Sequence, residues 1–180
     1  MKKRQLEGKV KTALRLMFFR SRSKPGISGN ELKKLVGSDL SQVLIELDKR
    51  LEPLGLKVKG VLEDGRKVDL TSNENLEKAW FGIVLREKLG VNEIRTSGWR
   101  IDDLAVLTIS ILYILSMRGK APRKNIVDLL KDKIPEWRIK YCLEKFRRMG
   151  YFVEENGVLR LGWRTFMEVD LEQLARMSGK

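Results

Sequence analysis

The 180-residue chain has no histidine and a single cysteine, Cys142. Without histidine, Ser-His-Asp and Cys-His catalysis, His-ligated zinc and a charge switch near neutral pH are excluded. A lone cysteine rules out an intramolecular disulfide and points to an intracellular protein. No Walker-type phosphate loop is present, because Gly119-Lys120 lacks both the upstream glycine and the following Ser or Thr. Long apolar runs are also missing. The longest uncharged run, Leu104 to Met117, has 14 residues, short of the ~20 that cross a bilayer. No sufficient apolar signal core follows Met1-Lys2-Lys3-Arg4-Gln5. These absences predict a soluble cytoplasmic protein that is not an enzyme, with no cofactor, no metal, no membrane association and no small-molecule substrate.

What the chain has is positive charge. Thirty-seven Lys and Arg face 24 Asp and Glu, for a formal net charge of +13 and a pI of ≈ 10.0. Abundant Lys, Arg and Glu with few Asn, Gln and Cys suits a thermophile. Such a composition explains many charges of both signs, but not a surplus of thirteen, so a polyanion is the first partner to consider. The surplus is concentrated in two places. Lys2, Lys3, Arg4, Lys9, Lys11, Arg15, Arg20, Arg22 and Lys24 face only Glu7, and Arg118 to Arg148 holds eleven basic residues against four acidic ones.

Residues 6–71 and 101–162 follow one plan twice: apolar helix, break, short helix, long amphipathic helix, then two short strands about an Asp-Gly or Asn-Gly turn. Pro25 and Pro122, Gly55 and Gly150, and Gly65 and Gly157 mark corresponding points. Three helices closed by a hairpin is the winged-helix plan. The predicted fold is therefore α+β and mostly helical, with two tandem winged-helix domains and extra helices after each wing. The first domain is expected over 1–90, a connector over 91–100 and the second domain over 101–180.

In the first half, Leu6 to Arg20 has helical apolar spacing and Ser28-Gly29-Asn30-Glu31 is a capping box. A helix starting at Ser38 or Asp39 presents Leu40, Val43, Leu44, Leu47, Leu51 and Leu54, and strands 56–62 and 66–71 flank Asp64-Gly65. That third helix carries Glu46, Asp48 and Glu52 against Lys49 and Arg50, which makes it a poor reader of DNA. The first domain is therefore expected to serve protein interaction or dimerisation, with Lys57, Lys59, Arg66 and Lys67 of its wing able to touch a phosphate backbone. Ser72 or Asn73 is expected to cap a further helix running to about Leu89, with Leu76, Trp80, Ile83 and Val84 on its apolar side.

In the second half, a helix starting at Asp102 or Asp103 and running through Leu104–Met117 is apolar nearly all round and is expected to be covered on several sides, by its own domain and the first or by a separate chain. Arg123 to Lys131 forms the second helix. The third runs from Pro135 to Met149 with Ile139, Cys142, Leu143 and Phe146 inward, so Cys142 reads as a small core residue. Helical geometry puts Trp137, Tyr141 and Arg148 on the opposite side, flanked by Arg138 and Lys145. This face has three possible roles: docking on DNA, anchoring a protein helix, or tucking its rings under the C-terminal helix predicted over 163–177. The wing, Glu154-Glu155-Asn156-Gly157, is acidic and suits no groove. Candidate DNA-binding residues are Arg123, Lys124, Arg138, Lys140, Lys145, Arg147 and Arg148, with Lys2, Lys3 and Arg4 of the N-terminal cluster. Trp137 and Tyr141 are candidate protein-interface residues.

Three segments resemble the kleisin-interacting tandem winged-helix family, which includes the bacterial segregation and condensation protein B and the MAGE-type non-SMC elements of eukaryotes. Leu44-Ile45-Glu46-Leu47-Asp48-Lys49-Arg50-Leu51 followed by Gly55-Leu56-Lys57-Val58 is similar to the third helix entering the first hairpin. Leu104–Gly119 before Lys120-Ala121-Pro122 is similar to the opening helix of the second domain. Leu143 to Tyr151 is similar to its third helix turning into the wing. The resemblance implies a non-catalytic subunit that binds a kleisin segment within an SMC complex acting on chromosomes, hence nucleoid-associated. With the charge, it sets the expected partners as double-stranded DNA, bound with little sequence preference, a kleisin or SMC-type protein, and a second copy of the chain. A sequence-specific transcription regulator reading bases with Arg138 and Lys140, and a scaffold for acidic protein segments, are the alternatives.

Overall fold

A computed structural model of the chain describes residues 2–19, 26–87 and 98–178, with side chains described over 4–19, 26–87 and 98–176. It divides into two compact units, Met1–Lys88 and Leu89–Lys180, each with its own core. Residues 91–97 of the expected connector lie outside the described residues, as do Arg20, Arg22 and Lys24 of the N-terminal cluster.

The first unit runs α1 (Lys2–Phe19), β1 (Ile27–Ser28), α2 (Gly29–Val36), α3 (Leu40–Leu51), β2 (Leu56–Val61), β3 (Lys67–Val68) and β4 (Trp80–Leu85). Ser28 caps α2: its hydroxyl accepts the Glu31 amide and donates to the Glu31 carboxylate at 2.7 Å. The α3 stripe is inward as its spacing dictates, with Leu40, Val43, Leu44, Leu47 and Leu51 buried against Val10, Ala13 and Met17 of α1. Leu54, placed on the same stripe by spacing, follows the helix in a 3₁₀ turn and is exposed. The wing turn is a three-residue loop. Gly65 donates to the Leu62 carbonyl at 3.0 Å and Leu62 to the Arg66 carbonyl at 2.9 Å, with Gly65 at φ 90°.

The expected helix after this wing is not formed. Leu76–Lys78 is one 3₁₀ turn, and Trp80–Leu85 is a strand lying between β1 and β2 in the order β1-β4-β2-β3. Its spacing of apolar residues also satisfied a helix, but Trp-Phe-Gly-Ile-Val-Leu is rich in aromatic and β-branched residues that favour a pleated surface. Six residue pairs from Leu56↔Leu85 to Val61↔Trp80 decide the matter by joining β4 to β2. In that register Gly60 faces Phe81, and a Cβ at Gly60 would stand 2.6 Å from the Phe81 ring. The missing side chain is what lets the fully buried Phe81 lie over the ladder.

The second unit runs α4 (Ile101–Ser116), β5 (Lys120–Pro122), α5 (Arg123–Leu130), α6 (Glu136–Met149), β6 (Phe152–Glu155), β7 (Val158–Leu161), α7 (Trp163–Glu168) and α8 (Leu171–Ser178). Its sheet, β5-β7-β6, repeats the β1-β4-β2 order of the first unit. Thus β4 takes the place of a wing's return strand, and β3 is an addition at the sheet edge. The wing turn uses Asn156 at φ 50° and Gly157 at φ 73°, the left-handed pair that a two-residue hairpin demands. Within its own unit, α4 contacts α5, α6, β5, β7 and α8, and Asp103 to Leu115 contains no exposed position. The predicted C-terminal helix is two helices. Val169 is extended, and the Asp170 carboxylate accepts the Gln173 amide at 3.1 Å, capping α8 anew. Two winged-helix units in tandem, in a mostly helical α+β chain, make up the fold.

Candidate nucleic-acid and protein interface

The outer face of α6 is where charge and aromatic side chains meet. Ile139, Cys142, Leu143 and Phe146 are buried, so the remaining side chains must point outward or sideways. Trp137 is 68% exposed and Tyr141 51% exposed, with the Arg138 guanidinium 5.9 Å from the Tyr141 ring centre. Neither ring tucks under the C-terminal helices.

The cations around them are spoken for. Asp103, in the first turn of α4 and 2% exposed, accepts a hydrogen bond from Lys145 Nζ at 2.8 Å on Oδ2, and from Arg138 Nη2 on Oδ1. The Cys142 thiol donates to the same Oδ1 at 3.3 Å. Burial pushes the Asp103 pKa up, but the hydrogen bonds from Lys145 and Cys142 and the charges of Lys145 and Arg138 outweigh it, leaving the carboxyl below its ordinary range. Burial, followed by the Asp103 hydrogen bond and charge, pushes the Cys142 thiol up to about 11. Lys145 also stands 5.4 Å from the Trp99 ring centre, and Trp99 stacks on Phe146.

The other candidates are placed as follows. Lys140 pairs with Glu136, one turn back. Arg147 and Arg148 share Glu144, at 2.7 and 3.3 Å, and the Arg147 hydrogen bond holds that carboxyl below its usual value. Arg123 bonds Glu154 of the wing at 2.8 Å and reaches the Lys140 carbonyl at 3.3 Å. Glu154 of the acidic wing therefore neutralises Arg123 at the start of α5. Lys124 is exposed on α5. The structure thus gathers Arg138 and Lys145 on one carboxylate and Arg147 and Arg148 on another, and sets Lys124 apart. The residue that sequence reasoning missed is Asp103. It read only as a helix start, and no local signal says that it faces Arg138 and Lys145, 35 and 42 residues away.

On the first unit, α3 spends its charge internally as well. Asp48 accepts the Val58 amide at 2.7 Å and Arg86 at 3.0 Å, and Glu46 pairs with Arg50. Of the expected wing cations, Arg66 bonds Asp64 at 2.7 Å and Lys67 is exposed on β3. A groove of ≈ 380 Å³ lies beside α3, lined by Leu6, Asp39, Gln42, Ile45, Glu46 and Lys49 among others. Its charges are of both signs. Lys2 and Lys3 fall within α1 but their side chains lie outside the described residues; Arg4 is exposed.

Among the described residues, no group of three or more His, Cys, Asp or Glu is placed to hold a metal ion, and no helix is long and apolar enough to cross a membrane. No family model matches the chain, and no curated protein matches it significantly. Among solved structures it is similar to a chain of an Nse1-Nse3-Nse4 complex, with a TM-score of 0.67 over 97% of this chain and 75% of that one, at 14% sequence identity. At that identity the likeness is one of fold, and it extends over both winged-helix units.

Proposed function

We propose that the chain is a non-catalytic subunit of an SMC–kleisin-type chromosome complex, which docks on a kleisin-type protein segment and grips duplex DNA with little sequence preference. The observation that carries the reading is the internal pairing of the charged residues on both third helices. A winged helix that reads sequence needs free donors at the start of that helix, aimed at base edges. Here Arg138 is tied to Asp103 and Lys140 to Glu136, so the two residues a transcription regulator would use are engaged. What α6 does expose is Trp137 and Tyr141, the residue types that dominate protein hot spots. The likeness of both units to a chain of the Nse1-Nse3-Nse4 complex supports the same assignment. The surplus of basic residues supports a salt-sensitive hold on phosphate. Such a protein would work on the nucleoid, and a second copy binding through the first unit is compatible with the role.

Affinity purification of the chain from its native cell, with identification of what comes along, tests the protein half. An SMC-type ATPase or a kleisin is the expected companion, and RNA polymerase in its place would overturn the reading. For the DNA half, the logarithm of the binding constant should fall linearly with the logarithm of salt. Footprints should cover random-sequence duplex evenly; a single tight motif would favour the regulator.

A further inference from the structure

Every cation of α6 already has a carboxylate, with Arg138 and Lys145 sharing Asp103 and Arg147 and Arg148 sharing Glu144, so cations without a partner are to be sought elsewhere. From residue 25 to 88 the first unit has eleven basic and eleven acidic residues; before residue 25 it has nine basic residues and one acidic. The whole surplus of that unit therefore belongs to α1 and its immediate continuation. On α1, Val10, Ala13 and Met17 are buried and Arg4, Gly8, Lys11, Arg15 and Phe18 are exposed. At 100° per residue those five lie within about 80° of one another, so they form one outward stripe. Among the described residues, Arg4 and Arg15 have no carboxylate partner, whereas Lys11 is held by Glu7 at 3.0 Å.

Gly8 is the second observation. Glycine weakens a helix interior, and it is tolerated where packing demands it. Here packing demands nothing, since a Cβ at Gly8 would find no atom within 4 Å. The gap sits between Arg4 and Lys11, in the middle of the stripe. A bare stretch of helix backbone flanked by cations admits a rigid anionic rail closer than any side chain would.

We infer that the outer stripe of α1 (Arg4, Gly8, Lys11 and Arg15) is the surface that seats the phosphate backbone of duplex DNA, with Gly8 allowing close approach. The inference rests on the DNA-binding half of the proposed function and names its site. Charge complementarity selects the occupant: the stripe offers two unpaired guanidiniums and an ammonium, and no acidic side chain besides Glu7 lies near them in sequence. Phe18, 47% exposed at the end of the same stripe, makes an anionic lipid surface the competing occupant.

The test compares the full-length chain with three variants, using a short duplex of arbitrary sequence and, separately, vesicles of anionic lipid. Arg4→Gln with Lys11→Gln and Arg15→Gln is expected to lower the slope of log K against log salt by about two to three. Lys140→Gln with Arg147→Gln and Arg148→Gln on α6 should leave that slope nearly unchanged. Gly8→Leu should raise the melting temperature, because leucine is the better helix former, while weakening DNA binding several-fold. If the unsubstituted chain binds duplex but the α1 variant binds it equally well, the inference is overturned and the DNA reading stands. If the unsubstituted chain binds only the vesicles, or neither probe, the DNA reading itself fails.

Discussion

Asp103 shows how one carboxylate can organise a helix face. It ties α4 to α6 through Arg138 and Lys145, and takes a thiol hydrogen bond from Cys142. Removing the anion while keeping the shape, as in Asp103→Asn, leaves two half-buried cations facing one another without a partner. The expected loss is about 3 kcal/mol of stability, at the low end for broken buried pairs because Lys145 keeps some contact with water. The folded-state pKa of Asp103 lies below its unfolded value near ~3.9, so this contribution is complete above that pH and disappears as pH falls through the folded value. Denaturant titrations at several pH values check this: the gap between the native and Asp103→Asn proteins should be full at pH 6 and should close in acid below about pH 4. The thiol offers a second check. Cys142 is fully buried with its pKa pushed up to about 11, so a thiol reagent at about pH 8 should label it only in denaturant. Rapid labelling of the native protein would contradict its place in the core.

At the scale of elements, α6 separates its two jobs by face. The inward side closes the core, and Phe146 meets Tyr151 and Phe152 edge-on with ring centres 5.8 and 6.3 Å apart. The outward side leaves Trp137 and Tyr141 in water. Replacing both with alanine should change unfolding stability by no more than about 0.5 kcal/mol, as for other exposed positions. If the face anchors a protein helix, the same change should weaken partner binding by about 2 kcal/mol or more, measured by calorimetry against the co-purified partner. A large loss of stability instead would mean that the rings are core. Strand β4 carries the opposite lesson. Phe81 is fully buried against Gly60 of β2, so Phe81→Ala should cost about 3–5 kcal/mol, a cost that a peripheral helix at residues 73–89 would not incur. Thermal unfolding of that variant reads the difference directly.

Across the whole molecule, two units each carry a core of buried apolar residues drawn from three helices and a small sheet. Neither core borrows from the other's buried set, so residues 1–88 and 98–180 produced separately should each fold, seen as dispersed amide resonances and a cooperative melt. A second unit that melts without cooperativity when alone would show that α4 needs the first. Charge is also organised at this scale. Helices α3 and α6 hold most of their ionic groups in pairs, some within the helix and some with distant residues, while the N-terminal helix holds most of the uncompensated positive charge of its unit. On the proposed function, a chain arranged in this way would meet polyanions with α1 and leave its third helices for other contacts.

The amino-acid sequence alone determined the tandem plan, because its signals are local. Apolar residues at helical spacing in α1, α3 and α6, the Ser28–Glu31 cap and the Asn156-Gly157 turn each act within a few residues, and each forms as its chemistry requires. The inward position of Cys142 and the outward positions of Trp137 and Tyr141 follow from the same periodicity. Tertiary structure decided what depended on distant partners. Trp80–Leu85 became a strand only because β2 was there to pair with it, since its spacing alone fitted a helix equally well. The cations of α6 looked free in sequence because a count of charges is blind to which carboxylate each one meets. Asp103, 35 residues before Arg138, becomes its neighbour only when α4 and α6 pack together.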